Sequence, residues 1–433
     1  MGAVACSASS GSQAPSGAAA PSPPTEAAPA ARPPGDARDD GATAQAPLPP
    51  YEPPPREAWP AGYLGFDDAC GDDDDVVTIA AIGDVLLHQE LQKQAFADPK
   101  RYRALWADVE DLLGRTDITY ANLEGPTAPG ITRSRELVDD PGPTFDNKVY
   151  TGYARFNYHP SLGKDLAAAG VDIVSTANNH ALDRGPIGID RTLDALDEAG
   201  LAHTGTRRQK PGRETWHTVT EAKGMRIAWL SCTLHTNYEP DELGQVLSCF
   251  DDPARVPKLV RELSKREDID AVIVTPHWGK EYSPVPRPKE RKLAEAVFDA
   301  GAIAVIGSHP HVLQPWERVP LADGREGLAV YSLGNFASHQ RDPPRRSSIV
   351  LYLGLRKNAA GKVTVAGARY VPIHVRMEGD KQAFFVEAID RVGGHEDLRA
   401  PIVEMFGAPN LLPPDEELRL APHCHRGFGE PTK

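Results

Sequence analysis

From Val76 onward, short β-branched runs alternate with stretches of helical length, and this alternation limits the fold more than any other feature. VVTIAAI (76–82) reads as a buried strand and is followed by a helix over about 88–96. Helices over about 104–114 and 160–169 lead into DITYANLE and VDIVSTANNH. A helix over 187–199, with Ile189, Leu193 and Leu196 on one face, leads to RIAWLSCT at 226–233. Helices over 253–266 and 288–300 lead into DAVIVTPHWG and AIAVIGSHPH, and LAVYSLGNF closes the series at 328–336. Strands alternating with 10–15-residue helices predict an α/β domain with parallel pairing through crossover helices. No sequence repeat of 20–50 residues underlies the pattern.

Nearly every strand ends in polar residues of a chemically useful kind. GDVLLH follows the first, ANLEG the second and ANNHALDRG the third; HWGKEY and GSHPH end two later ones. In open α/β sheets ligands bind outside the carboxyl ends of the strands. These loops therefore bring Asp84, Asn122, Glu124, Asn179, His180, His277, Glu281, His309 and His311 to one rim. Within VIGSHPHVLQPWE (305–317), His309 and His311 point the same way if the backbone is extended. Taken alone, that stretch fits a metal site and a pair of strand-capping loop histidines equally. The company of the other loops favours metal, because neutral imidazole is the commonest metal ligand. Imidazole, carboxylate and amide donors without thiolate suit Zn, Mn or Fe. The donors outnumber the needs of one tetrahedral ion, and two divalent ions bridged by a carboxylate would use them better. His180 is placed to protonate a leaving oxygen or steady a transition state, and Asp183, three residues on, to orient it.

In this order, GDVLLH, NLEGP, STANNHALDRG, HWGKEY, GSHPHVLQPWE and YSLGNF resemble the motifs of the CapA family of poly-γ-glutamate capsule synthesis proteins, which looks like a branch of the calcineurin-like metallophosphoesterases. The resemblance runs from about Thr78 to about Val375. It implies an αββα sandwich with active-site loops at the C-terminal ends of the strands, a metallophosphatase domain over 76–378 and an extension over 379–433. It implies metal ligation by Asp84, Glu124 (in the bridging place), Asn179, His277, and His309 with His311 as the closing pair. His180 with Asp183 would be catalytic. Ser308 stands as an insertion after Gly307. One departure stands out: the wider superfamily's Asp-x-His motif has Leu at position 86 here. His88 is then either a substitute ligand or a cap for the following helix. Arg184, Glu281 and Tyr282 are the candidate substrate contacts, while Asn122 and Asn335 read as turn-shaping residues. His203, His217, His235, His339, His374, His395, His423 and His425 show no supporting spacing and read as structural or surface residues, with 423 and 425 an adventitious metal pair at most.

The implied function is metal-dependent phosphoester hydrolysis serving synthesis or export of an anionic capsular polymer. Two alternatives stand beside it: a non-catalytic metal- and polymer-binding accessory of a capsule export complex, and a γ-glutamyl amidase. Expected partners are a phosphoester or anionic polymer substrate and membrane capsule-synthesis proteins. The net charge of −14 argues against nucleic acid and, without a local basic patch, against tight binding of a polyanion.

Composition places the molecule in its surroundings. Residues 1 to about 60 hold much of the chain's 41 prolines among Ala, Ser and Gly, and cannot bury enough apolar surface to offset chain entropy. With GDDDD at 71–75 as a solvated boundary, residues 1–75 read as a disordered tether. Cys6 follows Ala3-Val4-Ala5, like the end of a lipoprotein signal peptide whose charged and apolar parts are missing. No run of about 18 apolar residues occurs, so a lipid anchor at Cys6 is the expected membrane link, and the cell envelope the expected location. Cys70, Cys232, Cys249 and Cys424 permit three disulfide pairings or free buried thiols, with Cys232 and Cys249 the nearest pair.

Overall fold

The strand Val77–Val85 (β1) is buried along both faces, and its alternate residues belong to different cores. Ala80 and Ile82 pack with Leu91, Leu162, Leu166 and Leu196 from helices outside the sheet. Ile79 and Ala81 pack with Ile227, Trp229, Ile273 and Leu328 from a second sheet. The period-two alternation of a strand thus feeds two layers at once. The structure, a computed structural model, describes residues 52–210, 215–237, 239–378, 383–425 and 428.

After β1 come β2 (Ile118–Leu123), β3 (Ile173–Ser175) and β4 (Ala202–Thr204), each parallel to its neighbour. The chain then builds a second sheet from β5 (His217–Ala222), β6 (Met225–Thr233), β7 (Ala271–His277), β8 (Ala304–Ile306), β9 (Leu313–Pro320) and β10 (Glu326–Leu333). It returns to the first sheet through β11 (Asn335–Ala337), β12 (Ser347–Lys357), β13 (Val363–Glu378) and β14 (Ala383–Ala388). The first sheet has the order β14-β13-β12-β1-β2-β3-β4, with β11 also beside β1; the second is β5-β6-β7-β8-β10-β9. Helices Arg255–Leu263 and Pro288–Asp299 cover the outer face of the second sheet through Val256, Val260, Leu293, Val297 and Phe298. The layers run helix, sheet, sheet, helix, the expected αββα sandwich, and the stacked rings of Tyr120 and Trp229 join the two sheets at 5.5 Å between centroids.

Two features depart from the sequence reading. Parallel pairing covers only part of each sheet: it runs from β1 to the β4 edge of the first and through β6, β7, β8 and β10 of the second, while β12, β13 and β14 run antiparallel, as do β5 and β9 at the edges. No helix connects β12 to β13, so the return is a hairpin, which only antiparallel pairing permits. The helix expected over 104–114 is two 3-10 turns followed by the short helix Glu110–Leu113.

The expected tether also ends early. Residues 52–75 lie against the domain: Phe66 and Ala69 are buried in the inter-sheet core, and Asn410 Oδ1 accepts from the Leu64 N–H at 2.7 Å. One buried aromatic and a few backbone partners order a segment whose composition is otherwise that of a linker. Cys6 and the rest of the expected tether lie outside the described residues. Beyond residue 378, β14 pairs with β13, and Leu398, Ile402 and Phe406 of the helix Glu396–Phe406 join the inter-sheet core. Both thiol pairs are disulfides, Cys70–Cys424 and Cys232–Cys249. The first spans 354 residues of sequence and holds the entering segment to the end of the domain. Replacing both Cys70 and Cys424 by serine is expected to lower unfolding free energy by about 2–4 kcal/mol, read from denaturant midpoints against the native protein with and without reductant. Equal midpoints would mean that the bridge carries no stability.

Candidate metal centre

Sheet register assembles the site before any side chain is considered. In the first sheet Asp84 on β1 lies level with Asn122 on β2 and with Asn335 on β11. In the second, His277 at the end of β7 lies level with Thr233 on β6 and bridges to Ser308. The two rows meet where the carboxyl ends of both sheets converge. Gly83 permits the first row, since a Cβ there would fall 2.0 Å from the Gly334 carbonyl oxygen.

The buried donors form two groups that share one residue. Glu124, His277 and His309 offer ligand atoms within 4.8 Å of one another, and so do Asp84, Glu124 and His311. Asn179 joins the first group, its Oδ1 lying 2.9 Å from His277 Nε2, which is itself 3.1 Å from His309 Nδ1. In the second, Asp84 Oδ2 is 3.1 Å from His311 Nδ1, and Glu124 Oε1 is 3.7 Å from His311 Nε2. All six expected ligands therefore come together, with Glu124 between the two groups.

Both Glu124 oxygens are buried and without a hydrogen-bond partner. Burial, with the charges of Asp84 and Glu281 added, pushes this carboxyl well above the usual range despite the opposing pull of His311. A buried carboxylate without a hydrogen bond is costly, and a cation answers both the charge and the missing bonds. Burial, then neighbouring imidazoles, hold His277 and His309 well below the usual histidine range, in the neutral form that ligates. His311 is pushed up to about 9: burial opposes this, but Glu124, Asp84 and Glu281 together outweigh it. The residues present fit a pair of divalent ions.

Polar neighbours fix the ligands. Asn122 Nδ2 donates to Asp84 Oδ1 at 2.8 Å and lies 3.2 Å from His277 Nδ1. Ser308 Oγ, 2.9 Å from the same Nδ1, can accept the proton there that leaves Nε2 free to ligate. Asn335 Oδ1 is 3.0 Å from His311 Nδ1, while its Nδ2 donates to the His311 carbonyl. Such outer partners orient ligand imidazoles. Asn122 and Asn335 thus do more than shape turns.

The closing histidines converge by a route other than the extended backbone expected. His309 and His311 have φ of +97° and +57°. Left-handed backbone costs an L-residue roughly 1–2 kcal/mol, so this loop is held in place by its surroundings. Leu86, where the superfamily motif has histidine, is 3% exposed and packs in the outer core of the first sheet. His88 does not replace it. Its Nδ1 accepts from the His339 N–H at 3.2 Å, its ring packs against Phe156, and burial pulls it down to about 4. The Asp84 group therefore has three donors where the other has four.

Beside the ligands stands a dyad. His180 Nδ1 is 2.8 Å from Asp183 Oδ2, which also accepts the Phe156 N–H at 2.6 Å. The Phe156 ring meets the imidazole edge-on at 4.8 Å, and among the described residues His180 Nε2 is left with only Asn237 Nδ2, 3.5 Å away. His235 was missed among the surface histidines. It follows β6 as the other site residues follow their strands, and its ring lies 5.9 Å from that of His309. His374, Glu387 and His395 form a separate cluster on the far strands, where Arg376 also engages Glu387. Cys424 is closed in its disulfide and His423 Nδ1 meets the Tyr63 hydroxyl at 2.6 Å, so the 423–425 segment offers no thiolate to a metal.

Arg184 is not a substrate contact. It is fully buried, and its guanidinium donates to the carbonyls of Ile131, Val149 and Asp183 and to Thr151 Oγ1. It ties the long segment after β2 to the helix Gly185–Ala199, because those carbonyls have no strand partner to satisfy them. Arg184→Ala is expected to destabilise the protein by about 3 kcal/mol, measured by urea unfolding, through the orphaned carbonyls. A shift below about 0.5 kcal/mol would mean that these hydrogen bonds carry no net stability. Glu281 and Tyr282 do lie at the rim; Tyr282 is 41% exposed, with its ring 6.1 Å from that of His311.

The family model described as "Bacterial capsule synthesis protein PGA_cap" matches residues 78–340. The chain is 27% identical over 300 residues to the "PGA biosynthesis protein CapA" of Bacillus subtilis (strain 168), covering 67% of this chain and 71% of that one. It is 26% identical over 317 residues to the "Capsule biosynthesis protein CapA" of Bacillus anthracis, covering 69% and 68%. A "Probable polyglutamine synthesis accessory protein" of Mycobacterium tuberculosis (strain ATCC 25618 / H37Rv) is 25% identical over 282 residues, covering 61% and 69%. Among solved structures, the NAD nucleotidase of Haemophilus influenzae superposes with a TM-score of 0.44 at 11% identity, over 78% of this chain and 57% of that one. A putative 5'-nucleotidase from Staphylococcus aureus does so with a TM-score of 0.43 at 14% identity, over 69% and 54%.

Proposed function

The chain belongs to the bacterial capsule synthesis (PGA_cap) family, and from that premise we propose that it is a metal-dependent hydrolase of the phosphoester type, acting in capsular or poly-γ-glutamate synthesis or export. The observation that carries the reading is Glu124, buried, without a hydrogen bond and shared between two groups of ligand side chains, with the His180–Asp183 dyad alongside. Asp84, Glu124 and His311 would hold one divalent ion; Glu124, Asn179, His277 and His309 the other. Divalent ions in such a pair supply the positive charge that stabilises a phosphoryl group under attack.

The chain's own residues do the rest. Asp183 accepts from His180 Nδ1 and so fixes the imidazole with Nε2 toward the site. A protonated Nε2 donates to the leaving oxygen, and Asp183 stabilises the charge held meanwhile. Phe156 closes one face of His180 against water.

The location we infer is the cell envelope. Two disulfides accord with an oxidising compartment. Among the described residues no helix is long and apolar enough to cross a membrane, and lipidation of Cys6 would supply an anchor. Membrane proteins of capsule synthesis would be its partners.

A second reading rests on Leu86. With three donors at the Asp84 group, one ion binds weakly, and the protein serves as a metal- and polymer-binding accessory without turnover. Elemental analysis of residues 52–433, joined to hydrolysis of a generic phosphodiester with added Mn or Zn, separates the two. Two ions per chain with turnover establishes the hydrolase. Bound metal without turnover on any phosphoester establishes the accessory, or the γ-glutamyl amidase if a γ-glutamyl peptide is cleaved instead. A folded protein that takes up no metal removes all three.

A further inference from the structure

A cavity of about 330 Å³ adjoins the candidate centre. Its walls include Tyr282, Val312, Leu313, Pro344, Ile402 and Met405, so it lies between the loop after β7, the start of β9 and one face of the helix Glu396–Phe406. Val312 directly follows His311, and Tyr282 faces His311 from the other side. Beside Tyr282 stands a cation: the Arg345 guanidinium sits 3.6 Å from the centre of the Tyr282 ring, and the Arg345 carbonyl accepts from Asn335, the residue that fixes His311. Asp342, 3.2 Å from Arg345, is its exposed ion partner.

The chemistry changes sharply across this short path. At one end are the ligand side chains and a guanidinium, which suit an anion. At the other the walls are aliphatic, Met or Pro, with Ser347 and Asp397 as the polar exceptions besides Tyr282. The Ser347 hydroxyl already donates to the Pro343 carbonyl. None of the described lining residues is Lys, Arg or His, so an anionic polymer finds no counter-charge inside. The volume is that of a small-ligand pocket and too small for a folded partner. Four of its wall residues are prolines, whose fixed φ limits the backbone freedom of the walls.

We propose that the phosphoester bound at this centre carries a hydrocarbon chain, acyl or prenyl, and that the chain lies in this cavity with Arg345 at the junction. This rests on the phosphoester reading of the centre and names the substrate class within it: an amphiphilic phosphate rather than a free sugar phosphate or nucleotide.

The test is calorimetric titration of the Mn-loaded full chain with methyl phosphate, dodecyl phosphate and farnesyl phosphate, each below its micelle concentration. A buried methylene is worth roughly fourfold in affinity, so at least one long-chain phosphate is expected to bind more than tenfold tighter than methyl phosphate. Equal gains for both chains mark a general hydrocarbon site, and a larger gain for farnesyl phosphate marks a prenyl site. Met405→Trp and Pro284→Trp, which fill the cavity from opposite walls, are expected to bring the ratio of long-chain to methyl phosphate affinity toward one. A ratio near one in the native protein overturns the proposal, and so does a ratio that survives in both folded variants. Turnover of the same phosphates is read separately. A chain preference without hydrolysis of these or of the generic phosphodiester would fail the hydrolase reading and leave the cavity assignment standing, while hydrolysis without a chain preference would do the reverse.

Discussion

Glu124→Gln is expected to make the metal-free protein more stable while removing its capacity for two ions. The carboxylate is buried with neither oxygen bonded, beside Asp84. Exchange for a neutral amide of the same shape relieves about 1–3 kcal/mol of that cost when no cation is present. The same exchange takes the shared ligand from both groups, so metal content should fall from two ions per chain to one or none, and phosphoester turnover with it. Calorimetric melting after chelation, paired with elemental analysis after reloading, reads both effects on one sample. The opposite signs make the result hard to mimic: a variant that merely damages the fold would lose stability with and without metal. A chelated variant less stable than the native protein, with its ions retained, would remove Glu124 from the bridging role.

His180→Ala should leave metal content unchanged and lower kcat by about 10²–10⁴-fold, the range for removal of a general acid or base. The ring stands outside both ligand groups, and its Nδ1 is engaged by Asp183. Asp183→Asn should act in the same direction but less strongly. An amide oxygen in the place of Oδ2 still accepts from both the Phe156 N–H and His180 Nδ1, so the imidazole keeps its orientation and loses only its charge partner. Loss of an ion in His180→Ala would make the residue a ligand. Full turnover in both variants would make the dyad a structural pair, and the accessory reading would gain accordingly.

Much of the site was legible because chemistry-bearing residues follow apolar runs in a fixed order. Asp84, Glu124, Asn179, His277, His309 and His311 are all found at one place by the strand-end rule together with the family resemblance. The rule applied more strictly would also have found His235, two residues past β6. The roles of Asn122 and Asn335 were not legible, because they depend on the registers Asp84↔Asn122 and Asp84↔Asn335 between strands distant in sequence. Arg184 was misread for a related reason. A guanidinium looks the same in a sequence whether it meets solvent or the carbonyls of a loop more than thirty residues earlier.

The sequence by itself determined that this chain builds alternating strands and helices, that its strand ends carry carboxylate, imidazole and amide donors, and that it falls in a capsule-synthesis family. Those properties reside in local periodicity and in the order of short motifs, which survive without coordinates. Only the tertiary structure decided that the donors divide into two groups around Glu124, that Leu86 faces a core and His88 a helix start, and that the cysteines pair as 70 with 424 and 232 with 249. The structure also brought the helix Glu396–Phe406 to the edge of the site as the wall of an apolar cavity. The reason is physical: charge sharing, burial and cavity shape are set by which distant segments pack together, and a one-dimensional pattern carries no distances between them.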